Sequence, residues 1–141
     1  MVEQTQPTIK DVIAVAEFRS ALRHFLRRSE KVARQSGLTP QRYTLLMMIK
    51  GAPGGAEQST VTELAERLQL AQSTVTELVR RAETAGLIER EQSQRDARVA
   101  HLRLTTEGER RLMLSFTALE TERAQLREAF ANLDGGVSGS A

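Results

Sequence analysis

The stretch Thr60-Val61-Thr62-Glu63-Leu64-Ala65-Glu66-Arg67-Leu68, the turn Gln69-Leu70-Ala71, and then Gln72-Ser73-Thr74-Val75-Thr76-Glu77-Leu78-Val79-Arg80-Arg81-Ala82 decide the fold. Thr60 and Glu63 have the spacing of a capping box, in which hydroxyl and carboxylate satisfy each other's orphan backbone N–H groups. A short helix is expected to open there and to run through Leu68. A second helix is expected over 72–85, stopped by Gly86. On it Val75, Leu78, Val79 and Ala82 share one face, while Ser73, Thr76, Glu77 and Arg80 lie on another. A helix with an apolar back and small polar or arginine residues in front fits the major groove of duplex DNA. Taken alone, the same pattern also describes an ordinary solvated helix.

Downstream, 87–90 and 99–104 have the pattern of two strands, the second with apolar alternation at 100, 102 and 104. The polar bridge 91–98 makes them a β-ribbon whose tip carries Arg95 and Arg98 on either side of Asp96. An extended guanidinium there suits a narrow minor groove, and a plain surface turn in which Asp96 pairs with an arginine is the alternative. Upstream, Thr39-Pro40 supplies an N-cap and a first-turn proline for a helix ending at Gly51, and the loop 51–58 is rich in glycine. Before it, Ile9, Val12, Ile13, Ala16, Leu22, Phe25, Leu26 and Val32 recur at helical spacing, predicting one long amphipathic helix to about Gln35. After the ribbon, Thr105 or Thr106 caps a further helix bearing Leu112, Met113, Phe116 and Leu119, with apolar positions resuming at Leu126 and Phe130. The fold class expected is mainly α with a small β-wing (α+β): a winged helix-turn-helix on a helical dimerisation platform. The expected divisions are an N-terminal dimerisation helix over 1–37, the winged domain over 38–104, C-terminal dimerisation helices over 105–133 and a Gly/Ser-rich disordered tail over 134–141.

Composition removes other classes. The chain has 141 residues, 40% apolar and 27% charged, as expected of one soluble domain. Its longest apolar runs fall far short of the roughly 20 residues of a membrane helix, and no signal-like segment opens it, so a cytoplasmic protein with no membrane partner is expected. There is no cysteine and only His24 and His101, so metal and thiol chemistry are poorly supplied and no metal or cofactor is expected. With no Gly-rich phosphate loop and no Ser-His-Asp arrangement, nothing supports an enzyme. The net charge of +2 hides segregation: residues 93–103 carry three arginines against one aspartate, between segments in which acids prevail. Local basic features of this kind suit phosphate contacts.

Five motifs in order carry a resemblance. They are residues 60–68, Gln72-Ser73-Thr74-Val75-Thr76, Gly86-Leu87-Ile88-Glu89-Arg90, Asp96-Ala97-Arg98 and Leu104-Thr105-Thr106-Glu107-Gly108. Over about 38–112 the chain resembles the multiple antibiotic resistance regulator (MarR) family. The resemblance implies an obligate homodimer whose winged domains ride on the first and last helices of both chains. It implies repression or activation at a pseudo-palindromic operator, often relieved by a small aromatic or anionic effector. It also implies that the wing arginine two positions after an aspartate, here Arg98, enters the minor groove. The chain departs from the pattern at Ala97, where another arginine is common, at Ala71, where serine often caps the reading helix, and at Glu77, where a basic residue is frequent. Glu77 has two readings, accepting from a cytosine amino group or repelling phosphate.

The candidate DNA-binding residues are Gln72, Ser73, Thr74, Thr76, Arg80, Arg95 and Arg98. A candidate effector pocket would draw on His24, Phe25, Arg28, Tyr43, Met47 and Phe116, which mix apolar walls with polar tips. Independently of the resemblance, the terminal apolar stripes exceed what a winged domain can cover, so association with a second copy is expected, with pairing of the two stripes inside one chain as the alternative. A two-fold dimer sets its reading helices about one helical turn, roughly 34 Å, apart and so requires an inverted repeat. The function expected is that of a homodimeric, sequence-specific DNA-binding regulator. A winged-helix adaptor for protein–protein contact is the alternative, separable because only duplex binding falls steeply with salt.

Overall fold

A computed structural model describes residues 6–138 of the chain, with side chains as far as Leu133. Six α-helices and one short antiparallel ribbon follow in the order α1 (Ile9–Gln35), α2 (Pro40–Lys50), α3 (Val61–Leu68), α4 (Gln72–Thr84), β1 (Ile88–Gln92), β2 (Ala100–Leu104), α5 (Thr106–Ala118) and α6 (Glu120–Ser138), with a single 3-10 turn at Pro53–Gly55. The contacts divide these into two compact units, Val32–Thr117 and the described residues on either side of it.

In the first unit the local chemistry follows the sequence closely. Thr39 caps α2 by accepting from the Arg42 N–H, with Pro40 in the first turn. The capping box of α3 is complete in both directions, Glu63 N–H to the Thr60 hydroxyl and Thr60 N–H to the Glu63 carboxylate. Gln69, in the left-handed region at φ 56°, ends α3 and turns the chain toward α4. Leu45, Leu46 and Ile49 of α2, Leu64 of α3, Val75, Val79 and Ala82 of α4, and Leu87 and Leu102 at the ribbon's base form a buried apolar core. Burying side chains of this size is worth about 1.5–3 kcal/mol each, and this fixes α4 by its back face.

The strands pair in register from Ile88 opposite Leu104 to Gln92 opposite Ala100. β1 begins one residue later and extends two residues further than the sequence pattern suggests, because cross-strand pairing continues through Glu91 and Gln92 despite their polarity. A third line is added by Ser59, whose N–H donates to the Leu102 carbonyl at 3.0 Å and whose carbonyl accepts from the Leu102 N–H at 2.8 Å. The ribbon is thereby tied to the residue just before the α3 N-cap.

Thr105, rather than Thr106, caps α5: its hydroxyl accepts from the Gly108 N–H at 3.1 Å and donates to the Gly86 carbonyl at 2.6 Å, while its N–H donates to the Leu87 carbonyl. This draws α5 so close to β1 that a Cβ on Gly108 would lie 2.1 Å from the Leu87 carbonyl oxygen. Arg111 donates to the Gly37 carbonyl at 3.1 Å, and the Ser115 and Ser36 hydroxyls are hydrogen-bonded at 2.8 Å. These ties, with buried Val32 and Ala33, place α5 and the last turn of α1 in the unit Val32–Thr117.

The second unit joins the rest of α1 to α6, which begins anew after Leu119. The rings of Phe18 and Phe130 meet edge to face at 6.0 Å, and Arg28 pairs with Glu122 at 3.4 Å. Ile9, Val12, Ile13 and Val15 stand exposed on α1, Ile9 by 72%, and Phe130 of α6 is 62% exposed. α6 continues to Ser138 across Gly135 and Gly136. Once a helix is nucleated, each added residue gains a hydrogen bond, which offsets the roughly 1 kcal/mol glycine penalty. Residues 139–141 lie outside the described residues. Among the described residues no helix is long and apolar enough to cross a membrane, and no cluster of metal-ligating side chains occurs.

Candidate nucleic-acid interface

With Val75, Val79 and Ala82 buried, α4 turns Gln72, Ser73, Thr74, Thr76 and Arg80 outward, and all five are exposed. Gln72 donates through its side-chain amide to the Thr62 hydroxyl at 3.3 Å, bracing the start of α4 against α3. Ala71 makes no side-chain cap, so the first-turn N–H groups of α4 face outward with no hydroxyl over them. Such groups, with the positive end of the helix dipole, favour anionic oxygen.

Arg80 does not point freely into solvent. Its Nε donates to Glu77 Oε2 at 3.0 Å and its Nη2 to Oε1 at 2.5 Å, and Arg81 Nε adds a bond to Oε1 at 3.1 Å. The hydrogen bond from Arg80, supported by that from Arg81, holds the Glu77 carboxyl down at about 2 against an ordinary 4.5, and Arg80 is raised in turn. Neither reading of Glu77 offered by the sequence includes this arrangement.

At the wing tip Asp96 Oδ1 accepts from the Arg98 N–H at 3.0 Å and from Arg98 Nε at 3.3 Å. The turn is thus fastened by its aspartate, and the Arg98 side chain is nevertheless 92% exposed. Arg95 is exposed as well, its backbone N–H held by the Ser93 hydroxyl. Exposed ion pairs of this kind are worth about 0–1 kcal/mol, so Arg98 can exchange its aspartate for another anion at little cost.

Between the wing and α3 lies a groove of about 380 Å³ lined by Thr60, Val61, Thr62, Arg90, Arg98, Val99 and Ala100. Two hydroxyls and two guanidinium groups on one concavity suit a backbone phosphate. Thr62 and Arg90 escape the sequence reading. Arg90 is held by Glu83 at 2.8 Å, and only the ribbon's register, which sets it opposite Leu102, reveals its place. The expected DNA-contacting residues therefore fall on two patches of one unit, Gln72, Ser73, Thr74, Thr76 and Arg80 on α4, and Arg95 and Arg98 on the wing.

The candidate effector residues fall in both units. His24 and Phe25 lie on α1, with Arg28 engaged by Glu122; Tyr43 is buried and Met47 half-buried on α2, and Phe116 is on α5. The first three belong to one unit and the last three to the other.

Residues 36–99 match the model of the MarR family. No curated protein matches the chain in sequence. Among solved structures, the chain is similar to a MarR family transcription regulator at 24% identity and TM-score 0.69, over 90% of this chain and 82% of that one. It is similar at 21% identity and TM-score 0.65 to a mutant of MepR from S. aureus bound to an oligodeoxyribonucleotide, over 88% and 95%. A mutant of MarR from E. coli complexed with operator DNA resembles it at 17% identity and TM-score 0.68, over 94% and 97%.

Proposed function

We propose that this chain, whose residues 36–99 match the model of the MarR family, is a transcription regulator of that family that binds duplex DNA with α4 in the major groove and the wing in the minor groove. The observation that carries this is the exposure of Ser73, Thr74, Thr76 and Arg80 on one face of a helix locked by its other face, beside a wing whose Arg98 is 92% exposed. One similar structure is bound to an oligodeoxyribonucleotide and another to operator DNA, which supports the same reading. Gln72, Ser73, Thr76 and Arg80 are assigned to bases and nearby phosphates, Thr74 to phosphate, and Arg95 and Arg98 to the minor groove and its edges.

The working form is a homodimer. The exposed Ile9, Val12, Ile13 and Val15 of α1 and Phe130 of α6 supply an apolar surface of the kind that association covers. Two-fold pairing directs the protein to an inverted repeat with half-sites about 34 Å apart. The sign of regulation is repression, relieved by a small aromatic or anionic effector, as the family resemblance suggests.

Mobility-shift titration against fragments of the source genome, repeated across salt concentrations, tests the central claim. A log–log slope near −0.9 per neutralised phosphate is expected. Indifference to every duplex at low salt would leave the adaptor reading in its place. Light scattering that finds a monomer removes the dimer. A screen of small aromatic acids that releases nothing removes the effector.

A further inference from the structure

We propose that Glu77 is a positioning residue that aims the Arg80 guanidinium at a guanine, and so sets the specificity of α4. This rests on the DNA-binding reading above and extends it. The guanidinium has five N–H donors on three edges. Glu77 takes the edge formed by Nε and Nη2, at 3.0 and 2.5 Å. The edge formed by Nη1 and the second hydrogen of Nη2 is left directed away from the carboxylate, and two parallel donors in that plane match the O6 and N7 acceptors of guanine.

Arg81 completes the device. Its Nε bond to the same Oε1, at 3.1 Å, gives the carboxylate a second cation, so the three side chains together carry a single positive charge. That compensation explains how a carboxylate is tolerated on a face that meets phosphates. Accepting from a cytosine instead would require the bidentate pair with Arg80 to be broken. The side chains of Glu77, Arg80 and Arg81 are 44%, 62% and 59% exposed, so they can be changed without opening the core.

The test uses the full chain and two fluorescent duplexes of equal length, one selected by the parent protein from its source genome and one scrambled. Anisotropy titrations compare the parent with Glu77→Gln, Arg80→Ala and the double variant. Glu77→Gln is expected to lose about tenfold on the selected duplex with no loss on the scrambled one. The double variant is expected to be no weaker than Arg80→Ala, since the carboxylate acts through that arginine. Replacing the contacted guanine by 7-deazaguanine is expected to weaken the parent and leave Glu77→Gln unchanged. Equal losses on both duplexes, a gain on both, or additive losses in the double variant would overturn the positioning role. A parent protein that binds neither duplex would instead overturn the DNA-binding reading on which it stands.

Discussion

The pattern Glu-x-x-Arg-Arg occurs twice in this chain, at Glu77 to Arg81 on α4 and at Glu107 to Arg111 on α5, and the two copies fold into the same local clamp. In each, the third residue after the glutamate donates through Nε and Nη2 and the fourth through Nε. Both carboxyls are held at about 2, first by Arg80 or Arg110 and then by Arg81 or Arg111. Their surroundings differ. On α5 the second arginine is less exposed and also donates to Gly37, and the helix is pressed against Leu87 through Gly108. On α4 the described residues offer Arg80 and Arg81 no side-chain acceptor but Glu77. One clamp is woven into the domain, while its twin faces outward with a donor edge to spare. The same i,i+3 and i,i+4 chemistry therefore serves architecture in one place and presentation in the other, and tertiary context decides which.

Four measurements sharpen or break this contrast. Gly108→Ala, which puts a methyl against carbonyl oxygen beside the α5 clamp, is expected to destabilise the protein by about 3 kcal/mol in denaturant unfolding; an unchanged midpoint would show that α5 can back away. Arg98→Ala is expected to weaken duplex binding by about 1–3 kcal/mol with the unfolding midpoint unmoved, and retained affinity would remove the wing from the interface. Arg111→Ala is expected to cost about 1 kcal/mol of stability by freeing the Gly37 carbonyl, whereas Arg81→Ala should leave stability unaltered; equal effects would erase the distinction. The smallest effect is in acid. Because folding lowers both carboxyls from 4.5 to about 2, their contribution is complete above pH 4.5 and fades as pH falls toward 2. Glu107→Gln should therefore flatten the acid limb of a stability–pH curve between those values, leaving the variant slightly less stable than the parent on the neutral plateau and equal to it near pH 2. A loss that appears only above pH 6 would contradict the assignment.

What the sequence conveyed follows from how local each signal is. The Thr60–Glu63 box, the Thr39-Pro40 start, the turn after Leu68 and the two faces of α4 depend on neighbours within four residues, and all can be read from the string, whereas the left-handed φ of Gln69 shows only in the structure. The exposure of the expected reading residues follows from the same periodicity. Long-range ties are silent by comparison. Nothing in the residues around Gly108 announces a partner 21 positions earlier in the chain, and it was the Thr105 bonds to Gly86 and Leu87 that fixed α5 in the winged unit. Arg90 escaped for the same reason, since its place beside the wing depends on strand register. Glu77 illustrates a subtler gap: its spacing to Arg80 and Arg81 was visible, yet charge alone suggested an encounter with DNA rather than a bond within its own helix.

The pairing of Ser59 with Leu102 has a consequence for how the wing meets anything at all. A two-stranded ribbon standing alone would sway, and freezing it upon contact would consume part of the attraction. Stitched at its root to the segment that launches α3, the lower half is immobilised in advance. Beyond that root the tip is held by Asp96 and Ser93, so what a contact there would still have to order is chiefly the exposed side chains of Arg95 and Arg98.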